Sequence, residues 1–526
     1  MTLRSIMFRD PDPDAASTVD DTAPAYFADL NLDQVVSAVV AGRERYALEP
    51  YFYTPLPTAA DVEFRHAVFQ DLERSAELHE AAGEFAVRMR AVRDGLERAE
   101  QTRDRHERNG WFLEAARGYV DAVQRLDRRL AQVVMLSEGL RDLRDELSDL
   151  AFATEFTELE ASAGAVADAL TGVRYTVHIK GSHVRVSAYE DSDDYEQEVT
   201  AALARLSPDD DGEPSTRRTR IGTMNPVEET ILGLVAELEP AVFAELQSFC
   251  DRHRQFVQPQ VDLLEREIQF YLSYLDFVAR TAPVGGGYTY PQVSDDTVMV
   301  RARDTYDLSL AILSSGSGSP IVTNDIVAEG PERIVVVTGP NQGGKTTLAR
   351  TFGQLFHLTA IGVPVPGRSL TIGLCDTIAT HFAREESGAD AHGRLEEELV
   401  RLHEILETAT SRTVMVLNES LASTSLRDAR LLGAAIMRRM IALDLRAVYV
   451  TFVDELTQAG PTVVSMVAEA DADDPRIRTF KVVRRPADGV AHAEVLAKLH
   501  GLDYPALRSR IGRRAERSAA SSRRTE

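Results

Sequence analysis

Ile334-Val335-Val336-Val337-Thr338-Gly339-Pro340-Asn341-Gln342-Gly343-Gly344-Lys345-Thr346-Thr347 is the stretch from which the fold is read. Its first four residues form an apolar, β-branched run suited to a buried parallel strand. A glycine-rich loop follows, and the next residues, through Phe356, continue with helical character. In that order, loop N–H groups and a helix N-terminus can surround anionic phosphates. The Gly-x-x-x-x-Gly-Lys-Thr spacing is that of a P-loop. Lys345 is expected to reach the β- and γ-phosphates of ATP, and Thr346 to ligate Mg²⁺. Gly339, Pro340, Asn341, Gln342, Gly343, Gly344, Lys345, Thr346 and Thr347 are therefore the expected cofactor-binding residues. Only four lysines occur in the chain, Lys180, Lys345, Lys481 and Lys498, so a lysine at this position is not compositional filler. Its compact charge fits between phosphate oxygens where a planar guanidinium does not.

Working outward, Thr413–Leu417 and Ala447–Val450 are further apolar runs alternating with helical stretches, which predicts a doubly covered α/β sheet from about residue 295. The strand ending at Leu417 runs into Asn418-Glu419-Ser420, where a Walker-B carboxylate pair belongs. Glu419 is the candidate to orient or deprotonate an attacking water. Asn418 stands where an aspartate usually supports the metal, keeping an acceptor oxygen but not the charge.

These motifs carry a family resemblance. Thr338–Thr347, with its Pro-Asn pair and double glycine, closely resembles the P-loop of MutS-like DNA mismatch-repair ATPases. Ile321-Val322-Thr323-Asn324-Asp325-Ile326 resembles that family's adenine-pocket segment, which implies Asn324 and Ile326 near the base. Asn418–Ser425 occupies the place of the family's Asp-Glu and Thr-Ser-Thr segment. Val450–Leu456 resembles its strand-end Thr-His motif, with Thr451 as nucleotide sensor, and Phe382-Ala383-Arg384 resembles its Phe-Thr-Arg. Phe52–Pro57 and Phe64–Leu72 resemble the start of the core or lever region, and Tyr290-Pro291 the junction into the ATPase. The resemblance is specific over about 300–500 and suggestive over about 50–295.

The departures carry information too. Asn418 replaces the Walker-B aspartate, Phe452 replaces a histidine, and Leu395-Glu396-Glu397 follows Gly393-Arg394 where Ser-Thr-Phe is expected. In the family that serine completes a neighbouring subunit's site, so activation across a dimer is in doubt. The mismatch-reading domain with its Phe-x-Glu wedge is not expected in this chain, and Tyr51-Phe52-Tyr53 reads as packing.

The rest of the chain divides by pattern. Residues 1–25 are acidic and Pro-rich (Asp10, Asp12, Asp14) and are expected to be disordered, with no signal core. Residues 26–294 read as a helical core and lever region. Tyr119, Val123, Leu126, Leu130 and Val133 recur at steps of four and three, and Leu140, Leu143, Leu147 and Leu150 continue the stripe. Such a stripe fits a lever-like arm or a bundle core. A small hairpin is expected at 173–186, a loop at 207–214, and a boundary at Ala282–Tyr288. The ATPase domain spans 295–505. Residues 506–526 form a basic tail, either solubilising or a contacting arm, with Arg508, Arg510, Arg513, Arg514, Arg517, Arg523 and Arg524.

The net charge of −25 over 526 residues argues against a general nucleic-acid coat but not against a local patch. No apolar run approaches the roughly 20 residues that span a bilayer. Cys250 and Cys375 lack metal spacing and read as two reduced, buried thiols of a cytoplasmic protein. His381 and His392 read as surface or loop residues. Glu396, Glu397 and Glu398 read as first-turn carboxylates complementing a helix dipole.

The fold class is thus multidomain, an α-helical core/lever region followed by an α/β P-loop (ABC-type) ATPase domain. The resemblance implies a homodimer that binds ATP and Mg²⁺, with slow hydrolysis through Glu419 and Lys345 and metal support from Thr346 and Asn418. It also implies a DNA-linked role on distorted or branched DNA, without the usual wedge and with no membrane partner. The rival is an ATP-dependent scaffold with little hydrolysis and a protein partner.

Overall fold

A computed structural model describes residues 3–9, 20–180, 183–189, 224–295, 298–383, 391–422, 424–471, 477–487, 502 and 504–511, with backbone only at Ile179 and residues 391–394. The chain forms two compact units, residues 1–5 with 71–268 and residues 6–70 with 269–526. Residues 26–70 therefore group with the P-loop half, where the sequence reading placed them with the helical half.

In the first unit, helices Ala76–Gln101 and Arg105–Leu130 pack along each other. Ser75 Oγ accepts from Leu78 N to start one, and Asp104 Oδ1 accepts from His106 N and Glu107 N to start the other. Gly118 lets Val92 approach: a Cβ at Gly118 would sit 3.3 Å from the valine methyl. Phe85, Met89, Leu113, Tyr119, Val123 and Leu126 are buried in this unit.

The leucine stripe is not one helix. It breaks after Leu130 and resumes in Glu138–Ala151, because Asp71 Oδ2 accepts from both Leu136 N and Ser137 N at 2.8 Å and stabilises the turn. The expected hairpin is present as β1 (Tyr175–Lys180) and β2 (His183–Ala188), antiparallel with Val177 opposite Val186. The loop at 207–214 lies outside the described residues.

In the second unit the N-terminal segment departs from the expected disorder. Ile6 and Met7 are buried, and Tyr271 Oη donates to Ile6 O at 2.6 Å. The buried Arg65 guanidinium donates to Met7 O and Ile361 O and lies over the rings of Phe8 and Phe270. Residues 10–19 lie outside the described residues. Tyr51 and Phe52 pack on Phe270, as the packing reading requires.

The strands of this unit are β3 (Tyr288–Thr289), β4 (Gln292–Ser294), β5 (Val300–Thr305), β6 (Asn324–Ala328), β7 (Ile334–Thr338), β8 (Val365–Pro366), β9 (Ser369–Gly373), β10 (Ile378–Phe382), β11 (Val414–Asn418), β12 (Arg446–Val450), β13 (Val463–Ala470) and β14 (Arg478–Arg484). The main sheet runs β10-β11-β12-β7-β13-β14, parallel except for β14. Every residue of β7, β11 and β12 is buried, as expected for a sheet covered on both faces. A second sheet runs β4-β9-β5-β6, and β3 pairs with β8.

The helix Lys345–Ala360 is buried on all sides from Thr351 onward. A Cβ at Gly353 would come within 2.7 Å of the Leu30 methyls. Gln354 Nε2 donates to Leu30 O, and Arg350 Nε donates to Asp29 O. Asp29 also accepts from Thr380 Oγ1 at 2.6 Å.

Cys250 is buried, whereas Cys375 is half-buried rather than buried; both are free, and burial pushes both thiols up to about 11. No described helix is long and apolar enough to cross a membrane. Residues 504–511 are helical with Arg508 and Arg510 exposed; the other tail arginines lie outside the described residues.

Candidate functional site

Phosphate chemistry needs a loop whose backbone can come close to its neighbours. β7, between β12 and β13, delivers the chain to Gly339 at φ +114°. A Cβ there would lie 2.7 Å from Ala468 O on β13, so only glycine fits. Gln342 (φ +61°) and Gly344 (φ +91°) continue the curled path, and Gly344 is the N-cap of Lys345–Ala360. The loop's N–H groups thus converge on a helix start, an arrangement that favours anions.

Lys345 is largely buried. Its Nζ donates to Gly339 O at 2.9 Å, Pro340 O at 3.3 Å and Asn341 Oδ1 at 3.1 Å, and lies 4.0 Å from Glu419 Oε1. Burial lowers its pKa, while Glu419 acts in the opposite direction. Gly343 backs onto Ala468.

β11 ends at Asn418, buried, whose side-chain oxygen has no hydrogen-bond partner among the described residues. Glu419 N donates to Val450 O at 3.0 Å at the end of β12. Thr451 N donates to Val337 O, and Thr451 Oγ1 accepts from Val453 N, so its hydroxyl is engaged in a local turn. Phe452 is exposed.

A cavity of about 410 Å³ opens at these strand ends. Gln342, Gly344, Lys345, Thr346, Thr347 and Glu419 line its polar part. Ile321, Val322 and Leu310 supply an apolar part, with Asn324 and Phe480 also on the wall. Gly339, Pro340 and Asn341 do not line it; they hold the Lys345 ammonium from behind.

Ile326 is a correction. It is buried within β6, paired with Ala302, and does not line the cavity; Ile321 and Val322 do. Asn324 is at the cavity but tied to β14, donating through Nδ2 to Phe480 O and accepting through Oδ1 from Val482 N. Phe480 was not legible in the sequence. Its backbone is left-handed (φ +58°) and its side chain is exposed beside the cavity, yet it belongs to no motif.

Two other residues lie elsewhere than the sequence suggests. His381 is buried, not a surface histidine, with Nδ1 2.8 Å from Ser420 Oγ. Glu398 is beyond the first turn of the helix Ala391–Thr408, and its Oε2 accepts from Leu421 N at 3.1 Å. Arg384 lies outside the described residues, as do the side chains of His392 and Arg394. No group of three or more His, Cys, Asp or Glu residues able to hold a metal occurs among the described residues.

Residues 335–502 match the family model described as MutS domain V. The DNA mismatch repair protein MutS of Symbiobacterium thermophilum is 28% identical over 262 residues, 48% of this chain and 29% of that protein. The protein of the same name from Chlamydia trachomatis serovar L2b is 26% identical over 227 residues, 42% of this chain and 26% of its own. That of Clostridium botulinum strain Okra is 22% identical over 311 residues, 56% of this chain and 33% of its own. The similarity therefore spans a third or less of the length of each of these relatives. The domain match and these relatives together make the chain similar to MutS proteins, through a match to MutS domain V at residues 335–502 and over about half of its length.

Proposed function

We propose that the chain is an ATPase of ABC type that binds ATP with Mg²⁺ in this cavity and hydrolyses it slowly. The observation that carries the reading is the placing of the Lys345 ammonium 4.0 Å from the Glu419 carboxylate, on the wall of one cavity at the strand ends. Lys345 exchanges its carbonyl acceptors for phosphate oxygens, and loop N–H groups from Gln342 to Thr346 orient them. Glu419 holds the attacking water and takes its proton. Phe480, Ile321 and Val322 form an apolar seat for the base.

The donor set also fits Mg²⁺, a hard cation that takes oxygen ligands and keeps several waters. Thr346 would hold the ion through its hydroxyl, and the unpartnered Asn418 side-chain oxygen would hold it or one of its waters. Bound there, the ion supplies charge neutralisation on the phosphate oxygens.

Steady-state phosphate release by the intact chain, with Glu419→Gln as control, tests the reading. Release at least about tenfold above the control supports it. Release equal to the control sinks hydrolysis and leaves the rival, an ATP-dependent scaffold acting on a protein partner. The neutral Asn418 and exposed Phe452 are the observations that favour that rival.

The relatives' role in DNA mismatch repair supports a DNA-linked role for this chain; we propose further that it acts in repair or recombination on distorted or branched DNA, as a homodimer. Titration against duplex, branched and single-stranded DNA at two salt concentrations, with and without ATP, tests the first part. Absence of binding at low salt would count against it. Sedimentation with and without ATP tests the dimer.

A further inference from the structure

The turn after β11 carries Glu419 along a costly backbone path. Glu419 has φ +52° and Leu421 φ +68°, so two non-glycine residues within three positions are left-handed. Crowding of Cβ against backbone disfavours that conformation, and it persists only where the surroundings over-determine it. Besides the turn's own Ala422 N–Glu419 O and Thr424 N–Leu421 O bonds, four bonds from other elements do so among the described residues. Ala383 N donates to Asn418 O at 3.2 Å, and Glu419 N donates to Val450 O at 3.0 Å. Those two are backbone bonds open to many sequences. The other two belong to particular side chains, namely the His381–Ser420 bond at 2.8 Å and the Leu421 N bond to Glu398 Oε2 at 3.1 Å.

Neither His381 nor Glu398 lines the nucleotide cavity, so neither is placed to touch ATP. Both fasten residues directly after Glu419. The His381–Ser420 pair is buried beside Leu417, Leu421 and Phe382, all buried and apolar. In such surroundings a hydrogen bond is directional, and losing one partner is costly for the other. His381 comes from β10 and Glu398 from the helix Ala391–Thr408, so the turn is gripped by two separate elements.

We propose that His381 and Glu398 are positioning residues that hold the Glu419 carboxylate in its water-orienting place by clamping Ser420 and Leu421. The inference rests on the hydrolytic reading above and assigns that site two further determinants.

Full-length His381→Leu, Glu398→Ala and Glu398→Gln, each first shown to be folded by thermal unfolding, are compared in two assays. One is titration with a fluorescent ATP analogue; the other is single-turnover phosphate release. Release is expected to slow about 10- to 100-fold in His381→Leu and Glu398→Ala, as small displacements of a reacting group do. Affinity should stay within about twofold, because the loss falls on the chemical step. Glu398→Gln keeps an acceptor oxygen and is expected to retain most of the rate. Adding Ser420→Ala to His381→Leu should slow release little further, since the two act as a pair.

Release within about twofold of wild type in both variants, or affinity falling in step with rate, overturns the proposal. Hydrogen exchange of peptides covering 417–422 gives an arm independent of turnover. Faster exchange in the variants supports the clamp, and unchanged exchange overturns it even if wild-type release equals that of Glu419→Gln. Failure of the hydrolytic reading itself appears only in that last comparison.

Discussion

Lys345 Nζ and Glu419 Oε1 lie 4.0 Å apart, a buried cation and a half-exposed carboxylate brought together from residues 74 positions apart in sequence. The pair joins the end of β11 to the helix that follows β7 and, on the proposed reading, sets one charge for a triphosphate and the other for a water.

Replacing Lys345 by Ala removes the one side-chain ammonium that lines the cavity among the described residues. A bond to a charged group is worth about 1.5–3 kcal/mol, so ATP affinity should fall about 10- to 100-fold or more by calorimetric titration. Lys345→Arg should recover little of it, because the guanidinium is too broad for the carbonyl nest. Unchanged affinity in Lys345→Ala would remove the nucleotide assignment.

Phe480→Ala should weaken ATP and ADP alike by about tenfold, within the 1–3 kcal/mol that stacking of a base on an aromatic ring contributes. Phe480→Tyr should bind as wild type. Equal affinity for ATP in the alanine variant would show that the base sits elsewhere in the cavity.

Asn418→Asp should act oppositely with and without metal. In chelator, a second carboxylate beside Glu419 at a buried position should lower stability by about 1–3 kcal/mol. With ATP present, half-maximal turnover should need about tenfold less Mg²⁺. A variant with the same metal requirement as wild type would place the ion away from residue 418.

His357 and His66 are buried, and burial pushes both from 6.5 to about 4; the Phe52 backbone opposes this for His357, and nearby Arg65 adds to it for His66. Between pH 4 and pH 6.5 the unfolded chain therefore binds more protons than the folded one, so stability falls as pH is lowered through that window. Each histidine contributes at most about 3 kcal/mol to the loss. Urea midpoints measured across the range should show the decline, and His357→Gln should make it shallower. A flat profile would show that neither ring is buried in neutral form.

What the sequence discloses divides along physical lines. The strand, glycine-rich loop and helix from Ile334 to Ala360 are legible because an apolar run, clustered glycines and a helical stretch follow one another in that order. Asn418 and Glu419 were legible because an apolar strand has to end somewhere, and acidic or amide residues at its end stand out. Single side chains that stabilise distant backbone were not legible. Asp71 breaks the leucine stripe by binding N–H groups about 65 positions away. Glu398 does the same for Leu421, and in the sequence it cannot be told from its neighbours Glu396 and Glu397. Ile326 misled for a related reason, since an apolar residue near a binding segment fits a base pocket and a sheet interior equally well. Phe480 reaches the cavity from the last strand of the sheet, through a left-handed residue that no period reveals.

The helix Lys345–Ala360 has no wet side along its last ten residues, so it has no soft face that can absorb a displacement. On the proposed reading, phosphate drawing Lys345 outward would load whatever is packed around the helix, and that includes Asp29 and Leu30, more than 300 positions away in sequence. Asp29 in turn is bonded to Thr380, one residue before His381. Residues 29–30 thus brace the helix that carries Lys345 without lining the cavity.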